Sequence, residues 1–291
     1  MYNPYSVLSA FVKKEMKSYW FGTGTPTFLV NYLKAVHYYI PDLDGNVELN
    51  EDGLETYRAD AKYALPILFQ SGYLTIKEYS KESRMYRLGF PNDEVRYGFL
   101  YNLLPAFSSV PFGQTGVSVW RFVEDIRKGN VNSFMERMQA IISGIPYGNF
   151  SEEKLNLREQ NYQTAAYLIF ALMGQFVQTE IHCYSSAAMD GGCATQKRCF
   201  DKVETRSQNY TRTYSFDDAT GRADCIVKTA DAVYIFEFKL SGNGTADDAL
   251  DQIKEKKYAA TYQANGKQIV LIGSSFDEQR RTLKDWKTEM L

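Results

Sequence analysis

A carboxylate and an amine lie two residues apart in a very apolar stretch near the end of the chain. Glu237 and Lys239 interrupt the run Val-Tyr-Ile-Phe-Glu-Phe-Lys-Leu, which has the character of a strand buried on both faces. Residues two apart in a strand share a face, so both side chains leave it on the same side. An unpaired buried charge is costly. The pattern therefore indicates either an internal ion pair or a site that binds something charged.

The strand predicted just before it, residues 222–228, carries a second carboxylate, Asp224. If Lys228 pairs with Val233 across the turn, antiparallel counting sets Asp224 opposite Glu237, with β-carbons about 5 Å apart. Carboxylates that close repel each other unless a cation lies between them, and oxygen ligands suit a divalent metal. A register slip of one residue would instead place Asp224 on the other face.

In the second half of the chain, the predicted order of elements is helix, strand, strand, helix, strand, helix. This order indicates an α/β fold, with a small mixed sheet flanked by helices. The predicted segments are a helix over 158–173, strands over 222–228 and 232–240, a helix over 246–262, a strand over 268–272 and a final helix capped by Asp277.

The first part of the chain, residues 1–110, is predicted to be a mainly helical domain with a winged-helix-like outline. A β-hairpin is expected over residues 73–90, followed by a helix that Asn92 caps. Such modules bind DNA in many proteins and act as spacers or contact surfaces in others. The second domain is then expected to cover residues 111–291.

The Asp-x12-Glu-x-Lys arrangement resembles that of the PD-(D/E)XK nuclease superfamily. A Glu-x-Lys motif alone is frequent, and the wider pattern is more specific. The matching segments are Gly221-Arg222-Ala223-Asp224, Glu237-Phe238-Lys239 and Ala249-Leu250-x-Gln252-Ile253.

The chain looks like one subgroup in particular, found at the C-terminus of bacterial AAA-ATPase-like proteins. Two segments of the first third carry that likeness, Asn3-Pro4-Tyr5-Ser6 and Thr23-Gly24-Thr25-Pro26. The phosphate loop of the ATPase-like domain is missing from this sequence. The chain is therefore interpreted as a fragment or a shortened relative, to which no ATP-driven behaviour is assigned.

The resemblance implies a restriction-endonuclease-like fold and a metal-dependent phosphodiester hydrolase, with DNA as the expected substrate. Asp224 and Glu237 would hold Mg²⁺ or Mn²⁺, together with the backbone carbonyl of Phe238. Lys239 would orient or activate the attacking water and stabilise negative charge. The alternative is a non-catalytic nucleic-acid-binding or protein-interaction module built on the same fold.

Three more residues are candidates through the same resemblance. Glu159 lies on an inward-facing helical stripe and would support the metal, although an acid in a first helical turn also suits the helix dipole. Gln252 would reach toward the metal or its water, or else be a solvated helix residue. Arg222 would contact a phosphate or neutralise Asp224.

In the proteins that this chain resembles, a short segment connects a Glu like Glu180 to Gly-Arg-x-Asp. Here an insertion of roughly forty residues, near 183–219, intervenes. Its positive charges would contact substrate, or would belong to a solvated loop. Three of the four cysteines also lie there, with a Cys-x9-Cys-x5-Cys spacing that is unusual for zinc. The candidate substrate contacts are Lys197, Arg198 and Arg206.

Composition sets wider limits. A formal net charge of -2 over 291 residues neither indicates nor excludes nucleic-acid binding, which depends on a local basic face. No apolar run reaches the roughly 18 residues that a bilayer span requires. The first residues also lack a secretory signal pattern. The expectation is a cytoplasmic protein that contacts nucleic acid and no membrane, and no residue pattern specifies its oligomeric state.

Overall fold

A computed structural model describes residues 4–15, 19, 27–45, 47–55, 64–145, 155–181, 223–240, 242, 244–277, 280 and 282–291. These residues divide into two units, the first ending at Phe107 and the second beginning at Ser108. Within the described ranges, no helix is both long enough and apolar enough to cross a membrane.

The first unit combines helices with a three-stranded antiparallel sheet of order β1-β3-β2. The predicted hairpin is present, and Asn92 caps the helix after it by accepting a hydrogen bond from Val95 N at 2.9 Å. Strand β1, which no sequence pattern indicated, pairs with β3. The elements are α1 (Pro4–Lys13), α2 (Thr27–Ala35), β1 (Val47–Asn50), α3 (Glu51–Glu55), α4 (Ala64–Gln70), β2 (Thr75–Ser80), β3 (Met85–Gly89) and α5 (Asp93–Phe107), with a 3-10 turn at Ile40–Leu43.

The second unit is an α/β layer structure, so the predicted fold class, a mixed sheet flanked by helices, is confirmed. Its five-stranded sheet has the order β4-β5-β6-β7-β8. Strands β6 and β7 are parallel, and the other neighbours are antiparallel. The elements are α6 (Thr115–Arg127), α7 (Val131–Ser143), α8 (Leu155–Met173), β4 (Gln178–Ile181), β5 (Cys225–Lys228), β6 (Ala232–Leu240), α9 (Ala246–Glu255), β7 (Gln268–Asp277) and β8 (Thr282–Met290), with a 3-10 helix at Ala260–Asn265.

Strand β6 is buried on both faces, as its apolar sequence predicts. On one face, Phe236 packs against Phe134 and Phe170, with ring centroids 5.4 and 5.1 Å apart. On the other face, Ile235 belongs to a cluster that includes Ile253 of α9. These two helical layers exclude water from the middle of the sheet. Glu237 and Lys239 follow this buried stretch toward the C-terminal end of the strand.

The predicted final helix after Asp277 is wrong, because this segment forms β8. Strand β7 runs to Asp277 instead of stopping at residue 272, and β8 pairs with it in antiparallel register. The apolar residues that suggested a helix lie on a strand instead. Leu283 is fully buried, and Trp286 donates its indole N–H to Asn132 at 3.1 Å. Without β8, the long ladder of β7 would be an unpaired edge.

Candidate active site

The hairpin of β5 and β6 has the register that the sequence predicted. Lys228 pairs with Val233 and Cys225 pairs with Phe236, which places Asp224, one residue before β5, across from Glu237. The backbone reinforces this arrangement in both directions. Asp224 N donates to Glu237 Oε2 at 3.3 Å, and Phe238 N donates to Asp224 Oδ2 at 2.8 Å. Each carboxylate is therefore fixed by a main-chain N–H of the opposite segment.

A glycine on the neighbouring strand lets α9 pack close to this pair. Gly273 of β7 lies beside Glu237 in the parallel register. A β-carbon at Gly273 would lie 2.7 Å from Leu250 N and closer still to Ala246 O, so any larger residue would push the helix away. Helix α9 begins next to the site with a capping box between Thr245 and Asp248. The close packing holds Gln252 of α9 over the carboxylates.

Gln252 connects the acid and the amine of the site through the two ends of its amide. Its Nε2 donates to Glu237 Oε1, and its Oε1 accepts from Lys239 Nζ. Lys239 Nζ also lies 3.5 Å from Glu237 Oε1. The Glu237 side chain is 4% exposed and that of Lys239 is 21% exposed. The lysine therefore borders the open side of a cluster whose carboxylate is enclosed.

Burial makes both carboxylates reluctant to ionise. It is the main reason that the pKa of Glu237 rises from 4.5 to about 8, and the nearby charge of Asp224 raises it further, while Lys239 partly offsets both effects. Burial likewise raises the pKa of Asp224 to about 6, against the lowering effects of the Phe238 N–H and the Lys239 charge. Two such acids side by side favour either a bound proton or a bound cation between them.

The donor set suits a hard divalent cation. Asp224 and Glu237 offer carboxylate oxygens, which Mg²⁺ and Mn²⁺ prefer. Among the residues that the structure describes, no group of three or more His, Cys, Asp or Glu side chains is arranged to hold a metal. An ion here would therefore complete its coordination with main-chain oxygen, water and substrate, which is usual for Mg²⁺ bound by one or two carboxylates.

The structure brings four of the predicted site residues together: Asp224, Glu237, Lys239 and Gln252. Glu159 lies within α8, but its side chain is outside the described residues. The other candidates also fall outside the described part of the chain, namely Arg222, Lys197, Arg198 and Arg206.

Tyr258 was not predicted as a site residue, although its hydroxyl oxygen lies 3.4 Å from Gln252 Nε2. The sequence predicted one helix over 246–262, and in such a helix residues six apart point in clearly different directions. Helix α9 actually ends at Glu255, and Lys257 has a left-handed backbone with φ of 53°. That turn brings Tyr258 back to Gln252, and sequence periodicity could not predict it.

The region that carries this site matches a known protein family. Residues 205–286 match the family model described as the PD-(D/E)XK nuclease superfamily. The match includes the whole Asp-x12-Glu-x-Lys arrangement and confirms the superfamily predicted from the sequence. The segment that holds the site is therefore similar to PD-(D/E)XK nuclease superfamily domains.

The full chain is also similar to a longer protein. It is 29% identical over 299 aligned positions to the "Uncharacterized protein in vnfD 5'region" of Azotobacter chroococcum mcd 1. The alignment covers 100% of this chain and 50% of that protein, so the chain spans about half the length of its relative. No solved structure matches the chain.

Proposed function

We propose that the chain is a metal-dependent nuclease that hydrolyses DNA phosphodiesters at the Asp224–Glu237–Lys239 cluster. The observation that carries the proposal is the convergence of two carboxylates, one ammonium and the Gln252 amide at one end of the sheet. A module that only binds nucleic acid has no need of two adjacent acids whose ionisation the fold opposes.

Asp224 and Glu237 are the residues that would hold Mg²⁺ or Mn²⁺. Bound there, the ion would polarise the scissile phosphate and lower the pKa of a coordinated water. Backbone N–H groups of Phe238 and Asp224 bind one oxygen of each carboxylate and fix its orientation, which supports this role.

Lys239 would act on the water and the phosphate. A cation cannot help to hold Mg²⁺, because the two repel each other. Its ammonium lies at the exposed margin of the cluster, where substrate would enter. There it would orient the attacking water and stabilise the charge that develops on the phosphate. Gln252, bonded to both Lys239 and Glu237, would be a positioning residue that keeps the ammonium beside the acid.

Two further predictions from the sequence extend this proposal. The winged-helix-like arrangement proposed for residues 1–110 would give nucleic acid a second contact surface. The likeness to the nuclease domains that follow AAA-ATPase-like regions would make the chain one part of a larger DNA-processing system. The first of these rests on the order of helices and strands in the sequence, and the second rests on the resemblance.

The experiment that tests the proposal is a cleavage survey. Linear duplex, single-stranded and branched DNA are incubated with the chain in Mg²⁺, in Mn²⁺ and in EDTA, next to an Asp224→Asn variant. Cleavage by the wild type that needs metal and is lost in Asp224→Asn supports a nuclease. If the wild type binds these DNA forms and cuts none of them in either metal, the chain is a binding module.

A further inference from the structure

A third carboxylate lies beside the aliphatic stem of Lys239. Gly244, which precedes α9, has a φ of 152°, a backbone conformation that residues with a β-carbon rarely adopt. A β-carbon built on it would lie 3.5 Å from Lys239 Cγ and 3.3 Å from both Cβ and Oδ2 of Asp248. The lysine stem and the Asp248 side chain therefore both lie against the bare backbone of this glycine.

The capping box of α9 fixes the Asp248 carboxylate through one of its two oxygens. Asp248 Oδ2 accepts from Thr245 N at 2.7 Å and from the Thr245 hydroxyl at 2.8 Å. In return, Asp248 N donates to Thr245 Oγ1 at 3.3 Å. The other oxygen, Oδ1, forms no hydrogen bond with any residue that the structure describes. One oxygen thus caps the helix, and the second is available.

Asp248 and Gln252 are four residues apart in α9, so they lie on the same face of the helix. Gln252 Oε1 accepts from Lys239 Nζ, while the lysine stem lies near Asp248. Lys239 therefore extends along this helical face. The electrostatics agree with that geometry: bonds from the Thr245 N–H and hydroxyl lower the pKa of Asp248, and the charge of Lys239 lowers it further.

Occupation of the proposed metal site would change the balance of charges around the ammonium. In the structure, Lys239 Nζ lies 3.5 Å from Glu237 Oε1. The ammonium would be repelled by a divalent ion bound to Asp224 and Glu237, and its nearest acid would be neutralised. Asp248 is a further acid that the charge of Lys239 reaches, and it belongs to the helix and not to the two strands that hold the ion.

We propose that Asp248 is a positioning residue, which keeps the Lys239 ammonium beside the reacting phosphate when a divalent ion occupies Asp224 and Glu237. This inference rests on the proposed nuclease function and deepens it. Oδ1 is the oxygen that attracts the ammonium, because Oδ2 stays in the capping box. The first turn of α9 then has two roles, one in starting the helix and one in orienting the lysine.

The test separates the charge of Asp248 from its capping role. Asp248→Asn removes the charge and keeps an oxygen for the cap. Asp248→Gln and Asp248→Glu form a matched pair, because both residues are regular at this position of a capping box and they differ in charge. The control is Asp247→Asn, which removes the same charge from the adjacent exposed residue, whose two oxygens are each 2.6 Å from Lys287 Nζ.

Each variant of the full chain is studied in three ways. The kcat and KM are measured with the DNA form that the wild type cleaves, in Mg²⁺. Affinity for Mg²⁺ alone is measured by titration calorimetry without DNA, and the melting temperature reports on the helix cap. Asp248→Asn is also combined with Lys239→Ala, to establish whether Asp248 acts through the lysine.

Asp248→Asn and Asp248→Gln are expected to lower kcat about five- to tenfold, because the ammonium is less well placed. The KM should stay the same or fall, since losing a negative charge does not weaken attraction to DNA. The Mg²⁺ dissociation constant should rise about two- to threefold, because repulsion between the ion and the lysine is less compensated. Asp248→Glu should retain most of the wild-type values, and Asp247→Asn should change little. Without Lys239, Asp248→Asn should alter the residual kcat by less than about twofold.

Three results would overturn the inference while cleavage by the wild type still supports a nuclease. The first is wild-type kcat in both Asp248→Asn and Asp248→Gln, which would make Asp248 only a helix cap. The second is an equal fall of kcat in Asp247→Asn and Asp248→Asn, which would indicate a general charge effect. The third is an undiminished effect of Asp248→Asn in the Lys239→Ala background. A wild type that cuts no DNA form would instead refute the proposed function, and this inference with it.

Discussion

Replacing Glu237 with Gln should stabilise the chain in metal-free buffer at neutral pH. The fold raises the pKa of Glu237 from 4.5 to about 8, so ionisation of this buried carboxyl opposes folding. The protonated Glu237 carboxyl is the form that the fold favours. Its contribution to the free energy of unfolding is complete below pH 4.5 and is lost as the pH rises through 8. At pH 7, the raised pKa of Glu237 lowers the free energy of unfolding by on the order of 3 kcal/mol relative to its value at low pH. Glu237→Gln removes that cost and keeps an amide oxygen that can accept one of the two hydrogen bonds that Glu237 receives, from Asp224 N and from Gln252 Nε2.

The assay is thermal unfolding in EDTA between pH 5 and pH 9. The wild type should lose stability as the pH rises over this range, and Glu237→Gln should show a flatter profile, with a melting temperature at pH 7 higher by on the order of 5–10 °C. The control is Glu180→Gln. The Glu180 carboxylate is bonded by Lys228 and by the Tyr262 hydroxyl, so this change should reduce stability. Parallel pH profiles for the wild type and Glu237→Gln would refute the reasoning.

Two further predictions follow from the same geometry, and a third follows from the basic residues of the insertion. Mg²⁺ or Mn²⁺ at ten times its dissociation constant should stabilise the wild type by about 1.4 kcal/mol, and Glu237→Gln should abolish most of the accompanying rise in melting temperature; equal responses would place the metal elsewhere. Gly273→Ala should destabilise the fold by roughly 1–3 kcal/mol in denaturant titrations, because the new β-carbon meets the α9 backbone, and a neutral result would mean that α9 is free to shift. Removing the basic side chains of the insertion should weaken DNA binding and flatten its salt dependence, and an unchanged slope would make the segment a solvated loop. The residues changed to Ala in that variant are Lys197, Arg198 and Arg206.

The core of the site could be predicted because it depends on local rules. Strand alternation puts Glu237 and Lys239 on one face, and a short turn restricts the register of the hairpin. These two constraints sufficed to place Asp224 across from Glu237. Gln252 also falls on the helix that the sequence predicts after the strand. The α/β class follows from the same alternation of elements.

The remaining features depend on contacts that a sequence pattern does not encode. The segment after Asp277 has apolar residues at helical spacing, yet it forms β8 because β7 offers a long ladder to pair with. The end of α9 is set by a lysine in a left-handed conformation, which residue preferences disfavour. Tyr258 reaches the site only through that turn. Strand β1 is four residues long and is stabilised by pairing with β3.

The most direct test of the account compares DNA cleavage by the wild type and by Lys239→Ala at the same fraction of bound DNA, in Mg²⁺ or Mn²⁺. The ammonium borders the cluster but cannot hold the metal, so binding should persist while hydrolysis falls on the order of 10²–10³-fold, as for the loss of one charge-stabilising donor. Lys239→Arg should also be slow, since a planar guanidinium does not replace a compact ammonium. Equal cleavage by the wild type and Lys239→Ala would contradict the assignment of this cluster as the active site.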